Sequence, residues 1–272
     1  MRSLEDLQVA MAARLAEEGL ATAAAVPVRR NPERAPLSFG QRYVWAHQQI
    51  SPGSSAYNLC LALTFEGAAG AEPIDVGALR TAFAALVERH EVLRTTYHTD
   101  EDGEPYQRIH SDLPPRLVEE DLSGLAEEQA RQRLRELTEA AARESFDLTS
   151  ESSLRVTFVR ISAGELVAVV VIQHIAWDGM TLPALSRDVE NFYRQALTGP
   201  VTVEPLRLQV ADFAEWEADR FAADDHAEDI RFWRNSFDGE LPELQLPYDR
   251  RPVAATERGG RRDRPLSAAA DA

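Results

Sequence analysis

A single cysteine, Cys60, stands in 272 residues, which excludes an intramolecular disulfide framework, and no CxxC pair or Cys/His cluster with zinc spacing accompanies it. A reducing compartment and no structural zinc follow. Positive charge is scarce too, with 29 basic side chains against 45 acidic ones and a formal charge of -16. A phosphate backbone or an anionic bilayer rewards clustered cations, so neither nucleic acid nor a membrane is expected as a partner. Long apolar runs are also missing: the longest, Leu166–Ile172, falls far short of the ~20 residues that span a bilayer. The N-terminal stretch carries Glu5, Asp6, Glu17 and Glu18 in place of a basic start and an apolar run, unlike a secretory signal. The expectation is a soluble, cytoplasmic protein. What is present suffices for a core, since 44% apolar and 27% charged residues are ordinary values for a globular chain.

Ser3 followed three residues later by Asp6 has the form of a capping box, and Leu4, Leu7, Met11 and Leu15 recur at helical spacing. Residues 1–20 are expected to form one amphipathic helix. Residues 21–36, rich in Ala, Pro and Arg without a period, read as a linker, and the N-terminal segment as a whole reads either as a packing arm or as a docking helix for an upstream protein. From Leu37 helical and extended patterns alternate, which predicts an α/β domain, a mixed sheet flanked by helices, over residues 37–249. Tyr57–Phe65 reads as a strand, and Asp75 is placed to cap a helix whose Val76, Leu79, Phe83, Leu86 and Val87 share one face. A strand is expected from Arg94, a turn at Asp102–Gly103, and a long helix opened by Ser123. Leu154–Ile161 and Leu166–Ile172 make a second hairpin. A later helix is expected over Asp212–Phe221, with Phe213, Trp216, Phe232 and Trp233 as burial anchors. Residues 250–272 hold six arginines and little to bury.

The run Leu166–Ile172 lacks polar alternation and is mostly β-branched, so both its faces must be covered, as in a central strand. Gln173, His174, Trp177, Asp178 and Gly179 follow at once, ahead of a helical stripe of Leu182, Leu185, Val189, Phe192 and Tyr193. Polar chemistry thus sits where a buried strand gives way to a helix, a favoured place for catalytic groups. Among six histidines, His174 stands apart. It reads either as a general base or hydrogen-bond donor in a cavity, or as a core histidine satisfied by the backbone. Asp178 reads as a helix cap or half of a buried ion pair, and Trp177, a large aromatic near a buried strand, as a core residue, with the wall of a substrate tunnel as the alternative.

The segment Gln173-His-Ile-Ala-Trp-Asp-Gly179 resembles the HHxxxDG signature of the condensation domains of nonribosomal peptide synthetases, with Gln in place of the first His. Leu37-Ser-Phe-Gly-Gln-Arg-Tyr-Val-Trp45 is similar to that family's LSxxQxRLW motif, and Arg89-His-Glu-Val-Leu-Arg-Thr-Thr-Tyr97 to its RHExLRTxF motif. Asp212-Phe-Ala-Glu-Trp216 resembles DFAxW, and Leu246-Pro-Tyr-Asp-Arg-Arg-Pro252 resembles LPxDRP. All five stand in the family's order.

The resemblance implies a chloramphenicol acetyltransferase-like fold of two lobes with a tunnel between them. This chain matches the N-terminal lobe, and its end falls where a C-terminal lobe is expected to start. The implied reaction joins a donor acyl or peptidyl thioester to an acceptor aminoacyl thioester as an amide. No tightly bound cofactor is implied; both substrates ride on phosphopantetheine arms of donor and acceptor peptidyl carrier proteins. The implied partners are those carriers, the C-terminal lobe and adjacent synthetase domains. His174 matches the motif histidine credited with chemistry, either accepting the amine proton or orienting the amine and stabilising the tetrahedral intermediate. Gly179 is expected to allow close backbone approach, and Asp178 and Arg94 to support the loop. Gln173 keeps hydrogen-bonding capacity but cannot titrate. Two other classes compete: a non-catalytic module that docks a carrier protein, favoured by Gln173, and a coenzyme A-dependent acyltransferase of the same fold.

Overall fold

The structure, a computed structural model, describes residues 26–67, 73–223 and 226–239. The helix expected over residues 1–20, the 246–252 motif and the tail over 250–272 lie outside the described residues. Two compact units are distinguished, residues 1–225 and 226–272.

In the first unit the chain runs β1 (Arg34–Pro36), α1 (Phe39–Ile50), β2 (Asn58–Glu66), α2 (Val76–Arg89), a 3-10 turn (Glu91–Arg94), β3 (Thr95–Thr99), β4 (Pro105–Ile109) and β5 (Arg116–Asp121). It continues through α3 (Glu127–Arg143), β6 (Leu154–Ser162), β7 (Glu165–Gln173), a 3-10 turn (Gly179–Thr181), α4 (Leu182–Thr198) and α5 (Val210–Ala222). The main sheet has the order β2-β7-β6-β5, with β5 and β6 parallel and the other pairs antiparallel. A parallel pair needs a crossover, and α3 supplies it. A small antiparallel sheet has the order β1-β4-β3.

β7 is the inner strand that its composition requires. Leu166, Ala168, Val170 and Ile172 on one face pack with Leu79, Phe83, Leu86 and Val87 of α2 and with Leu185 and Val189 of α4. On the other face Val167 and Val169 join Leu122 and Ala130, while Val171 joins Trp45, Tyr97 and Phe146. Side chains alternate across a strand, so a run without polar interruption coats both faces. Full burial of a Leu or Phe side chain contributes ~1.5–3 kcal/mol, and Leu79 and Phe83 are fully buried. Asp75 caps α2 as expected, accepting from the Ala78 N–H at 3.0 Å.

Three readings are corrected. Residues 26–36 do not hang as a linker: Arg29 and Arg30 reach α5 through Asp212, Glu215 and Asp219, and β1 pairs with β4. Ion pairs and a three-residue strand leave no hydrophobic period, so the segment looked unstructured. Ser123 does not open α3, because its hydroxyl donates to Asp121 Oδ1 at 2.6 Å and the helix begins after Ala126. The strand expected from Arg94 is β3, which starts one residue later at Thr95, after the 3-10 turn that Arg94 ends. Phe213 is an exposed ring paired with Trp216 at 5.6 Å, not a buried anchor.

The second unit contributes one described helix, α6 (Ala227–Ser236). Phe232 and Trp233 on it are exposed, not buried anchors, and Trp233 stacks on Phe237 with centroids 5.6 Å apart. Among the described residues no helix is long and apolar enough to cross a membrane.

Candidate active site

The register of the main sheet sets one edge of the site. Asn58 pairs with Gln173 at the end of β7, and one step further the His174 N–H donates to the Tyr57 carbonyl at 2.8 Å. The chain then leaves the sheet as a loop over residues 174–178. Gln173 is buried, and its Oε1 accepts the Ile175 N–H at 2.6 Å while its backbone N–H donates to Ser153 O at 3.0 Å. Its side chain therefore works inside the loop, closing the turn, in a role that needs an acceptor and no titration.

Gln41 holds the loop from the opposite side. Ser38 and Gln41 form a reciprocal capping box at the start of α1. The Gln41 amide then donates toward the Ile175 carbonyl at 3.4 Å and the Tyr97 hydroxyl at 3.5 Å, and its Oε1 accepts from Gln107 at 3.3 Å. Gln107 in turn donates to Pro36 O at 2.8 Å. Burial pushes the Tyr97 phenol up, with the Gln41 bond acting the other way. The LSFGQ and RTTY segments thus meet directly beneath the loop.

His174 is exposed, which overturns the core-histidine reading. Among the described residues neither imidazole nitrogen takes a hydrogen bond, and the ring lies edge-on to Tyr57 with centroids 6.1 Å apart. Tyr57 meets His47 at 4.9 Å and Tyr43 at 6.3 Å, both near-perpendicular. A hydrogen bond with Tyr43, then partial burial, pushes the Tyr57 phenol up.

Asp178 is exposed and caps the turn after the loop, with Oδ1 accepting from the N–H groups of Met180 at 3.0 Å and Thr181 at 3.1 Å. The helix-cap reading of Asp178 therefore holds over the buried ion pair. Trp177 is buried in the cluster between sheet and α4, with no hydrogen-bond partner for its Nε1 among the described residues. It also borders a small apolar cavity of about 100 Å³ beside Leu86, Leu93, Ile172 and Leu185 within this lobe, which places it in the core.

Two expected roles are corrected. A Cβ on Gly179 would meet nothing within 4 Å, so the backbone there makes no close approach inside this lobe. Arg94 does not bond to the loop; its guanidinium donates to the His110 carbonyl and lies 3.5 Å from Glu91. The residues of that motif that reach the helix after the loop are Arg89 and His90. Both bind Asp188 Oδ2 on α4, at 3.0 and 2.8 Å. Burial alone would raise the Asp188 pKa, but the His90 bond and the Arg89 charge outweigh it and hold the carboxyl below its ordinary value.

Asp188 and Tyr57 escaped the sequence reading because their partners lie far along the chain. For Tyr57 one signal existed: pairing the Tyr57–Phe65 run with Leu166–Ile172 sets it beside His174. The DFAEW segment has a matching structural role. Asp212 is buried, accepts the Arg29 N–H at 3.1 Å and its guanidinium at 2.9 Å, and so ties the N-terminal arm to α5. Among the described residues no group of three or more His, Cys, Asp or Glu is placed to hold a metal.

Known proteins place this arrangement. The chain is 34% identical to phosphinothricin tripeptide synthetase PhsC of Streptomyces viridochromogenes, over 95% of this chain and 25% of that protein. It is 31% identical to a linear gramicidin synthase of Brevibacillus parabrevis, over 89% of this chain and 3% of that protein. The chain thus spans a quarter or less of these relatives. Among solved structures, the complex of the X-domain and OxyB from teicoplanin biosynthesis matches at a TM-score of 0.72 and 28% identity, covering 85% of this chain and 49% of that one. The starter condensation domain of rhizomide synthetase RzmA matches in fold, with a TM-score of 0.67, 20% identity, and coverage of 77% of this chain and 49% of that one. The α/β lobe described above is therefore about half of a chloramphenicol acetyltransferase-like fold. The Condensation domain profile covers residues 31–270, and this chain belongs to the condensation-domain family of nonribosomal peptide synthetases.

Proposed function

We propose that this lobe supplies the catalytic loop for amide formation between a donor acyl or peptidyl thioester and an acceptor aminoacyl thioester, each carried on the phosphopantetheine arm of a separate carrier protein. The observation that carries the reading is His174: exposed, with both ring nitrogens unengaged among the described residues, on a loop fixed by buried Gln173 and Gln41. In the reaction the acceptor nitrogen bonds to the donor carbonyl carbon, the carbon–sulfur bond breaks, and the thiol of the donor arm leaves. The proton lost by the amine passes to His174 Nδ1 or Nε2 and on to the thiolate. Holding both tethered reactants together makes the attack effectively intramolecular. The partners on this reading are the two carriers, a C-terminal lobe and neighbouring synthetase domains. Open space over Gly179 fits a path kept clear for a tethered arm.

The test is a two-lobed protein containing this lobe, supplied with two loaded carriers. His174→Ala is expected to lower amide formation by about 10²–10⁴-fold, the usual contribution of a positioned acid–base group. A variant as fast as the parent overturns the assignment. One observation favours a second reading: Gln replaces the first signature His, which suits a module that docks a carrier without chemistry. Carrier binding with no turnover in the two-lobed protein would select that reading.

A further inference from the structure

Catalytic histidines are commonly oriented by a hydrogen bond at the second ring nitrogen, which fixes ring angle and tautomer. His174 has no such bond among the described residues, and its recorded ring neighbour is Tyr57. The same tyrosine holds the backbone, since its carbonyl accepts the His174 N–H at 2.8 Å. Tyr57 is itself held on three sides: it packs on the cluster that contains Trp45, Tyr97 and loop residue Ile175, His47 meets its ring at 4.9 Å, and Tyr43, one helical turn before His47, meets it edge-on at 6.3 Å. A ring so fixed provides a rigid edge against which an exposed imidazole settles, since edge-to-face contacts at 4.5–7 Å are the preferred geometry of aromatic pairs.

The geometry points to Tyr57 as the positioning residue for His174, orienting the imidazole through ring contact where other sites use a hydrogen-bonded carboxylate. Tyr43 acts behind it as the brace. The inference rests on the catalytic reading of His174 for its kinetic consequence, though the ring contact itself does not. What matters is the aromatic ring and not the phenol oxygen, so phenylalanine should replace tyrosine and an aliphatic residue should not.

Two measurements separate the inference from that reading. In the 272-residue chain labelled at histidine, the His174 ring protons should shift clearly in Tyr57→Leu, as the ring current is lost, and shift little in Tyr57→Phe. In the two-lobed protein with loaded carriers, Tyr57→Leu should lower kcat by at least about tenfold with KM nearly unchanged, since an error of 1 Å in a catalytic group costs on the order of 10²-fold. Tyr57→Phe should restore kcat to within about threefold of the parent on the same ground. Unmoved His174 signals in Tyr57→Leu, or an equal loss in Tyr57→Phe, overturns the inference. If Tyr57→Leu unfolds, Tyr57→Phe and Tyr43→Leu decide it: the first must retain the His174 signals, and the second must move them by removing the ring that meets Tyr57 at 6.3 Å. If His174→Ala retains full activity the catalytic reading fails, while the proton shifts still report whether Tyr57 sets the ring.

Discussion

Replacing Gln173 by methionine tests whether that side chain builds the 174–178 loop. The two residues are close in length, so the substitution chiefly removes the oxygen that accepts the Ile175 N–H at 2.6 Å. Gln173 is 3% exposed and Ile175 4%, so the freed N–H has no route to water. A buried donor left unmet costs about 1–3 kcal/mol. With a denaturant dependence of about 3 kcal/mol/M, the urea midpoint should fall by roughly 0.3–1 M. Gln173→His restores the residue usual in the signature, and a neutral imidazole nitrogen can accept the same N–H; burial favours that neutral form. Its loss should stay below about 1 kcal/mol, the net value of a typical hydrogen bond. Urea unfolding followed by tryptophan fluorescence reads both variants. A Gln173→Met midpoint equal to the parent's would refute the argument and leave Gln173 a bystander.

Asp178→Ala removes the cap that ends the loop, with an expected loss of about 1 kcal/mol read by thermal melting, and a lower rate of amide formation in the two-lobed protein. Asp188 makes stability fall in acid. Its folded pKa lies below the unfolded value of about 3.9, so its stabilisation is complete above that pH and is lost as pH falls through the folded value. Asp188→Asn should flatten this acid limb in urea titrations below about pH 4, whereas an unchanged limb would assign it to other carboxyls. Arg29→Ala leaves Asp212 buried without its cation, at about 3–5 kcal/mol, and should make residues 26–36 sensitive to limited proteolysis.

Elements were legible where one physical signal dominated. β7 declared itself by an unbroken β-branched run, and α2 by a capping Asp75 ahead of one apolar face. β5 did not, because Arg116, Glu119 and Glu120 leave an edge strand with little to bury, and its pairing with β6 is parallel and distant in sequence. Phe213, Phe232 and Trp233 misled because aromatic bulk alone does not determine burial. Within the site, His174, Gln173 and Asp178 were visible as a motif on a strand end. The motif did not reveal that Gln173 faces inward, or that Arg89 and His90, and not Arg94, brace the helix beyond. Those roles come from contacts across the fold, to Ile175 and Asp188, which no local pattern encodes.

The position of β7 between β2 and β6 also sets when the main sheet can close. β2 leaves the ribosome long before its partner, carrying Leu59, Leu61 and Leu63 with no strand to join. β6 and β7 are joined by a tight turn and can pair as soon as both are synthesised, after which β7 captures the waiting strand. The His174–Tyr57 junction is sealed in that last step, because it lies one residue past the final β2–β7 pair. Long-range closure of this kind is slow and leaves apolar strands open to association meanwhile. The 174–178 loop is therefore assembled late, and a slowed or truncated synthesis would leave β2 as the segment most in need of a chaperone.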